Sequence, residues 1–526
     1  MIKSIIHRHL TREEISMWTG RVSFFISMVL TLLVSQPSLA DDLRPPHIFI
    51  AGDSTAASYQ EEDHQGWGAQ LQSYFDEQQV TVNNRARGGR SSRTFITEGL
   101  WQALIEDVES GDLVLIQFGH NDAGEINDDR RARGSLPGLG NEQTDIANQV
   151  TGKDETVYTF GHYIRQMVAD VRAQDATPIL LSLTARNRWD QGRIERRNGQ
   201  YGYWMHQLAW ELETPFIDVT NLVADKLEKL GPAKVAELYP KDHTHFNGAG
   251  AEIHAETIVS ALKGLRPSLA ADLYSDKGRE VIAYDWTFLR LPVVATPEKT
   301  SIFMVGDSTV RNGWGDGAGG QWGWGDFLGD YLENDSYNLV NRAIGGFSSR
   351  TFVTGGHWQR ALNMTRPGDY VLIQFGHNDS AALNDDQRAR GTIDGISEAQ
   401  ETIDNMLTGK TETVHTYGWY LRKMIGEAMA QGVTPILFTP VPRKIWDDSG
   451  DKIARPDDSY PQWARQVASI SGVKLIDLHE LVGQRYDELG PEKVEAFFAD
   501  EHTHTSLEGA KFTAEIVADK LADWLQ

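Results

Sequence analysis

Cysteine is absent from all 526 residues. That excludes disulfides, thiol catalysis and cysteine-based zinc or iron–sulfur sites. It does not bar export, because domains of this size bury enough core without covalent staples. Positive charge is scarce as well. Fifty Lys and Arg face 74 Asp and Glu, a formal charge of −24. A nucleic-acid partner or an anionic membrane surface needs a basic face, so both are argued against. A local basic cleft on an acidic protein remains open, so a polyanionic substrate is not excluded. Beyond the N-terminus no apolar run approaches membrane-span length. Nor does the chain lack hydrophobic residues. At 40% hydrophobic and 24% charged it reads as globular rather than disordered. Its length suits two to four domains.

The N-terminus carries an apolar stretch from Phe24 to Val34, preceded by Arg21 and followed by Ser38-Leu39-Ala40. A short apolar core with small residues at the cleavage positions reads as a secretory signal over residues 1–40. An uncleaved anchor is the alternative. Met17 would open a tidier signal than Met1. The expected location is secreted or periplasmic, with no membrane contact after signal removal.

The chain is written twice. Gly111-Asp-Leu-Val-Leu-Ile-Gln-Phe-Gly-His-Asn-Asp122 returns as Gly368-Asp-Tyr-Val-Leu-Ile-Gln-Phe-Gly-His-Asn-Asp379, matching at eleven of twelve positions with an offset of 257. Gly52-Asp53-Ser54-Thr55 returns as Gly306-Asp307-Ser308-Thr309, and His243-Thr244-His245 as His502-Thr503-His504. A period this long is a duplicated domain. The expected division is 47–268, a joining segment 269–299, and 300–526. Tyr284, Trp286 and Phe288 in the join point to a packed segment rather than a loose tether.

Within each copy, β-rich runs alternate with helix-period stretches. The runs are His47–Ala51, Leu113–Phe118 and Pro178–Leu183; the stretches include His162–Arg172 and Gly250–Leu265. Such alternation implies βαβ units, a mainly parallel sheet and helices on both faces, an α/β fold. Ligands then sit at the carboxyl ends of the strands.

Four motifs fall at such ends. Ser54 follows an apolar strand directly, where it is either a nucleophile or a helix cap. Asp242 and His245 are three apart. The carboxylate can fix the imidazole, and the imidazole can take a serine proton. His-x-His is also a metal pattern, but neither copy has a second ligand cluster. Asn121, in Gly119-His-Asn-Asp122, is a donor for a developing oxyanion or an ordinary turn residue. Gly88-Gly89 brings backbone close, and it too is a second donor or a turn.

Taken in order and twice over, these blocks resemble the SGNH (GDSL) hydrolase superfamily. The stretches Gly-Asp-Ser-Thr, Asn84-Arg-Ala-Arg-Gly-Gly-Arg-Ser-Ser-Arg93 and Asp242-His-Thr-His-Phe246 are similar to its rhamnogalacturonan acetylesterase branch, carbohydrate esterase family 12. The resemblance implies two tandem three-layer α/β/α, flavodoxin-like domains. It implies Ser54 as nucleophile, Gly89 and Asn121 as oxyanion donors beside the Ser54 N–H, and Asp242 and His245 as orienter and base. In the second copy the matches are Ser308, Gly346, Asn378 and His504. There Glu501 takes the place of Asp242, with Asp500 just before it. A carboxylate one methylene longer predicts a less well aimed His504 and a slower second copy. No cofactor and no metal are expected.

Substrate clues are fewer. Arg90 and Arg93, and Arg350 in the second copy, are candidates for carboxylate binding; a solvated charged loop is the alternative. Trp314, Trp322 and Trp324 lie among glycines, where they either hold sugar rings or pack on the core. The expected activity is removal of O-acetyl groups from pectic polysaccharide, rhamnogalacturonan or homogalacturonan, through an acetyl-enzyme. The rivals are an acetylxylan or other O-acetyl-sugar esterase, a GDSL lipase or thioesterase, and a polysaccharide-binding protein with one inactive copy.

Overall fold

The computed structural model of the chain describes residues 44–525, apart from 198, 290–292, 312–316 and 333–335. The signal segment 1–40 and Trp314 therefore lie outside the described residues. Strands of the first half are β1 (His47–Gly52), β2 (Thr81–Asn84), β3 (Leu113–Gln117), β4 (Gln143–Ala147), β5 (Asp154–Tyr158), β6 (Thr177–Leu181), β7 (Trp189–Asp190), β8 (Arg193–Ile194) and β9 (Phe216–Ile217). Five of them form one sheet in the order β2-β1-β3-β6-β9, parallel throughout, with Ile48 opposite Val82 on one side and Leu113 on the other. The second half repeats it with β10 (Thr300–Gly306), β11 (Tyr337–Asn341), β12 (Tyr370–Gln374), β13 (Gln400–Asp404), β14 (Thr411–His415), β15 (Thr434–Phe438) and β16 (Lys474–Ile476), in the order β11-β10-β12-β15-β16.

The inner strands β1, β3, β6, β10, β12 and β15 are apolar at nearly every position because both faces of each sheet are covered. Ile48, Ile50, Leu113, Leu115, Ile179 and Leu181 point to one face, against the helices Val219–Leu230 and Gly248–Gly264. Phe49, Ala51, Val114, Ile116 and Leu180 point to the other, against Phe160–Ala173 and Tyr201–Glu211. The result is the α/β/α sandwich, twice. Trp67 and Trp324 are core residues, and their indole N–H groups donate to Gln117 and Gln374 at 2.7 and 2.9 Å. That removes Trp324 as a sugar platform.

Element ends follow local chemistry. Thr159 caps Phe160–Ala173 by accepting from the His162 N–H, and Asn247 caps Gly248–Gly264 by accepting from Gly250. Strand β6 stops at Leu181, two residues short of the expected end. Beyond it Ser182 Oγ accepts from the Thr220 N–H and the Leu183 carbonyl from the Thr220 hydroxyl. These contacts turn the chain out of the sheet. The antiparallel hairpins β4–β5, β13–β14 and β7–β8 were not anticipated. They are short and largely exposed, so they leave little hydrophobic periodicity to read.

The join is packed against both halves. Ala270, Tyr274 and Leu289 belong to the first core. Phe288 lies against the second core and stacks on His357 at 4.2 Å. Arg360 covers Phe288 at 4.2 Å and pairs with Asp225 of the first half at 2.9 Å. Arg197 reaches across to Asp369 at 2.5 Å, both side chains 3% exposed.

Candidate active site

At the end of β1 the buried Asp53 accepts from the N–H and hydroxyl of Thr55, both at 2.9 Å. Its carbonyl takes the N–H groups of Ala56 and Ala57. This tight turn sets Ser54 at the carboxyl edge of the sheet. His245 reaches it from the loop before helix Gly248–Gly264, with Nε2 2.9 Å from Ser54 Oγ. Its Nδ1 lies 2.7 Å from Asp242 Oδ2, while Asp242 Oδ1 accepts from the N–H groups of Thr244 and His245 at 2.6 and 2.7 Å. Partial burial pulls the Asp242 pKa upward, but these hydrogen bonds outweigh it and hold it at about 2. An anionic Asp242 accepts only, so Nδ1 carries the proton and Nε2 presents its lone pair to the serine hydroxyl.

The second copy assembles the same three groups with a different acid. His504 Nε2 lies 2.9 Å from Ser308 Oγ, and His504 Nδ1 2.5 Å from Asp500 Oδ2. Asp500, not Glu501, orients this imidazole. The extra residue is absorbed because Asp500 Oδ1 gathers the N–H groups of His502, Thr503 and His504. Those bonds hold its pKa at about 2 against the upward pull of burial. Glu501 stays exposed. The reason for expecting a poorly aimed His504 disappears with this correction.

Donors surround each serine. Among the described residues, no protein acceptor takes the N–H of Ser54 or Gly89, or of Ser308 or Gly346. Gly89 has φ +80° and Gly346 φ +85°, a region costly for side-chain-bearing residues. At Gly88 an added Cβ would sit 2.3 Å from the Tyr59 hydroxyl and 3.8 Å from Ser54 Cβ, so this loop passes beside the serine only as glycine. Asn121 gives one amide N–H to the Arg90 carbonyl at 2.9 Å, as Asn378 does to Phe347. An amide nitrogen has two N–H groups, so one remains in each copy.

The sequence pattern of the GDSL-like lipase/acylhydrolase family matches residues 50–253 and again residues 304–512. The chain belongs to that family. It is a carboxylic ester hydrolase, with the GDSL-like unit present twice. The curated relatives each align with one unit. A rhamnogalacturonan acetylesterase of Emericella nidulans is 33% identical over 236 residues, covering 45% of this chain and 91% of that protein. A probable rhamnogalacturonan acetylesterase of Bacillus subtilis is 36% identical over 222 residues, covering 41% and 90%. A rhamnogalacturonan acetylesterase of the same organism is 32% identical over 254 residues, covering 45% and 98%. Among solved structures, an acetylxylan esterase of Geobacillus stearothermophilus aligns at 17% identity over 41% of this chain and 92% of that one, with a TM-score of 0.28.

Two of the expected substrate residues in the GDSL-like units are elsewhere engaged. Arg93 and Arg350 are fully buried. Arg93 pairs with Glu155 on β5 at 2.7 Å and donates to the carbonyls of Ile126 and Gly134. Arg350 does the same with Glu412, Leu383 and Gly391. They tie each hairpin to the sandwich and, fully buried, are out of reach of a ligand. Arg90 is half-buried at the loop, bonded to Glu98 at 2.9 Å and to the Gly88 carbonyl at 3.0 Å.

Other residues took no part in the expected GDSL-like sites. Arg133 and Arg390 donate to the carbonyls of Gly89 and Gly346 at 3.3 and 2.7 Å. Buried Asp122 and Asp379 accept from the N–H and hydroxyl of Ser92 and Ser349, anchoring the Asn-bearing loop. Burial pushes these two carboxyls up to about 6 and about 7. His64 stacks on Tyr59 at 4.0 Å and meets the edge of His245 at 4.8 Å. His120 accepts from Arg186 on Nδ1, leaving Nε2–H for Thr184. Burial, followed by Arg186, keeps its pKa well below the usual histidine value.

Proposed function

We propose that both units are serine acetylesterases acting on acetylated pectic polysaccharide, a rhamnogalacturonan or homogalacturonan, outside the cytoplasm. The observation that carries this reading is the hydrogen-bonded Ser–His–Asp row found in each copy, Ser54–His245–Asp242 and Ser308–His504–Asp500. The sugar-ester preference is supported by the names of the curated relatives.

Ser54 Oγ attacks the acetyl carbonyl carbon as its proton passes to His245 Nε2. The carbonyl oxygen takes up negative charge against the N–H groups of Ser54, Gly89 and Asn121. The bond to the sugar oxygen breaks, and that oxygen receives the proton from His245, leaving acetyl-Ser54. Water then gives a proton to His245 and attacks the same carbon. Acetate leaves as Ser54 Oγ takes the proton back. Asp242 stays ionised throughout and stabilises the imidazolium. Ser308, His504 and Asp500 repeat the sequence.

The test is acetate release from acetylated rhamnogalacturonan, homogalacturonan and xylan, beside a long-chain ester. Fastest release from a pectic polymer supports the proposal. Preference for xylan or for the long chain overturns it.

A further inference from the structure

Away from both serines, a cavity of about 500 Å³ lies between the two halves. One wall is the β7–β8 hairpin and its flanks in the first half. The other is the segment from Asn363 to Pro367 with Ala430 and Gln431 in the second. On a chain of formal charge −24, this wall is basic. Arg188, Arg193, Arg196, Arg197 and Arg366 line it, against the carboxylates of Asp190 and Glu195.

Arg188 pairs with Glu195 at 3.8 Å, and the other four arginines fall into two groups. Arg196 is neutralised by Asp225 and Glu228, both at 2.8 Å, and Arg197 by Asp369. Even so, the buried Nε of each has no acceptor in the protein. Arg193 and Arg366 have no carboxylate partner among the described residues. Arg193 gives one N–H to the Leu362 carbonyl at 2.7 Å, and Arg366 one to the Pro297 carbonyl at 2.9 Å. Carbonyls fix a guanidinium in place without cancelling its charge, and each fork keeps donors for a carboxylate. Trp189 is half-buried on the same wall, its indole N–H spent on Asn187 at 2.8 Å. An aromatic face with its polar handle already used, beside fixed guanidinium groups, suits a sugar ring bearing a carboxylate.

The cavity is also connected to the first catalytic unit. Arg188 Nη2 lies 2.8 Å from His243 Nε2, in the loop that carries Asp242 and His245.

We infer that this cavity between the two halves is a uronide-binding subsite, taking a carboxylate-bearing sugar of the polymer on Arg193 and Arg366. The inference rests on the pectic reading above and extends it to a place neither catalytic unit contains by itself. Charge neutralisation in a cleft walled by protein gives it both affinity and salt dependence.

The test uses the full chain carrying Ser54→Ala and Ser308→Ala, titrated calorimetrically with unacetylated tetragalacturonate. The expected result is binding that weakens with added salt, is absent for a neutral galactose tetrasaccharide, and falls by about tenfold or more in Arg193→Gln with Arg366→Gln. Arg193→Lys, which keeps the charge, should retain most of the affinity. Equal binding by the Gln variant and its parent overturns the subsite. So do equal binding of the neutral sugar and equal competition by sulfate. Loss in the Lys and Gln variants alike, with a lowered unfolding temperature, assigns these arginines to the domain contact and also overturns it. Acetate release from acetylated pectin by the unmutated enzyme is measured alongside. Release with no effect of the Gln variant on binding sinks the subsite alone, whereas no release sinks the pectic reading.

Discussion

Asp500 decides what the second copy is. With an aspartate on His504 and 2.9 Å from imidazole to serine in both copies, neither site is geometrically handicapped. Ser54→Ala and Ser308→Ala should each leave a substantial fraction of acetate release, and the double variant none; a steady-state assay on one acetylated pectin reads this. In the Ser54→Ala background, Asp500→Asn should cut the remaining kcat by about 10²- to 10⁴-fold, because an amide fails to fix the imidazole tautomer. Glu501→Gln should change it less than twofold, about the size expected of an exposed side chain. Ser54, Asp242, His245 and Asn121 were readable because short motifs at strand ends carry their own context. The acid of the second copy was not legible, because a spacing of three points to Glu501 and only the fold of the loop brings Asp500 to His504. His64 and Arg133 had no sequence signal, since their places depend on loops folding back over the serine.

At the scale of elements, the hairpins β4–β5 and β13–β14 depend on buried ion pairs. Removing the Arg93 guanidinium strands Glu155 and two carbonyls, so Arg93→Met should cost about 3–5 kcal/mol in urea unfolding. The KM of the folded enzyme should be unchanged, because Arg93 is fully buried. The error over Arg93 had a remedy in the sequence: Glu155-Thr-Val157 recurs as Glu412-Thr-Val414 at the same offset as the arginines, which marks a repeated pair. The central strands and their parallel sheet were legible from apolar runs, whereas the strand order and the short, largely exposed hairpins were not. The loops after β3 and β12 should titrate. Asp122 and Asp379 ionise near pH 4 when unfolded and at about 6 and about 7 when folded. The native state holds the extra proton between those values, so their contribution is full below pH 4 and is lost as pH rises towards 7. The unfolding temperature of the parent should fall relative to that of Asp122→Asn over that range, measured by calorimetry at fixed ionic strength. A constant difference would contradict it.

At the scale of the whole molecule, the two halves are joined by Arg197–Asp369, Arg360–Asp225 and the apolar residues of the join. Arg197→Ala leaves Asp369 buried without its cation. Calorimetry should then resolve two unfolding transitions where the parent shows one. The aromatic residues of the join were legible as a packed segment, but the ion pairs were not, because repeated sequence describes each copy and not the surface between them. The contact is also heterologous: a hairpin of one copy meets a different surface of the other. Head-to-tail contacts of that kind can add units without end. Here the second copy has Pro456 where the first has Arg197, following Arg455 in the place of Arg196. Proline offers no cation to the Asp112 of a further molecule. The Arg197–Asp369 pair is therefore one that the second copy has no matching cation to repeat.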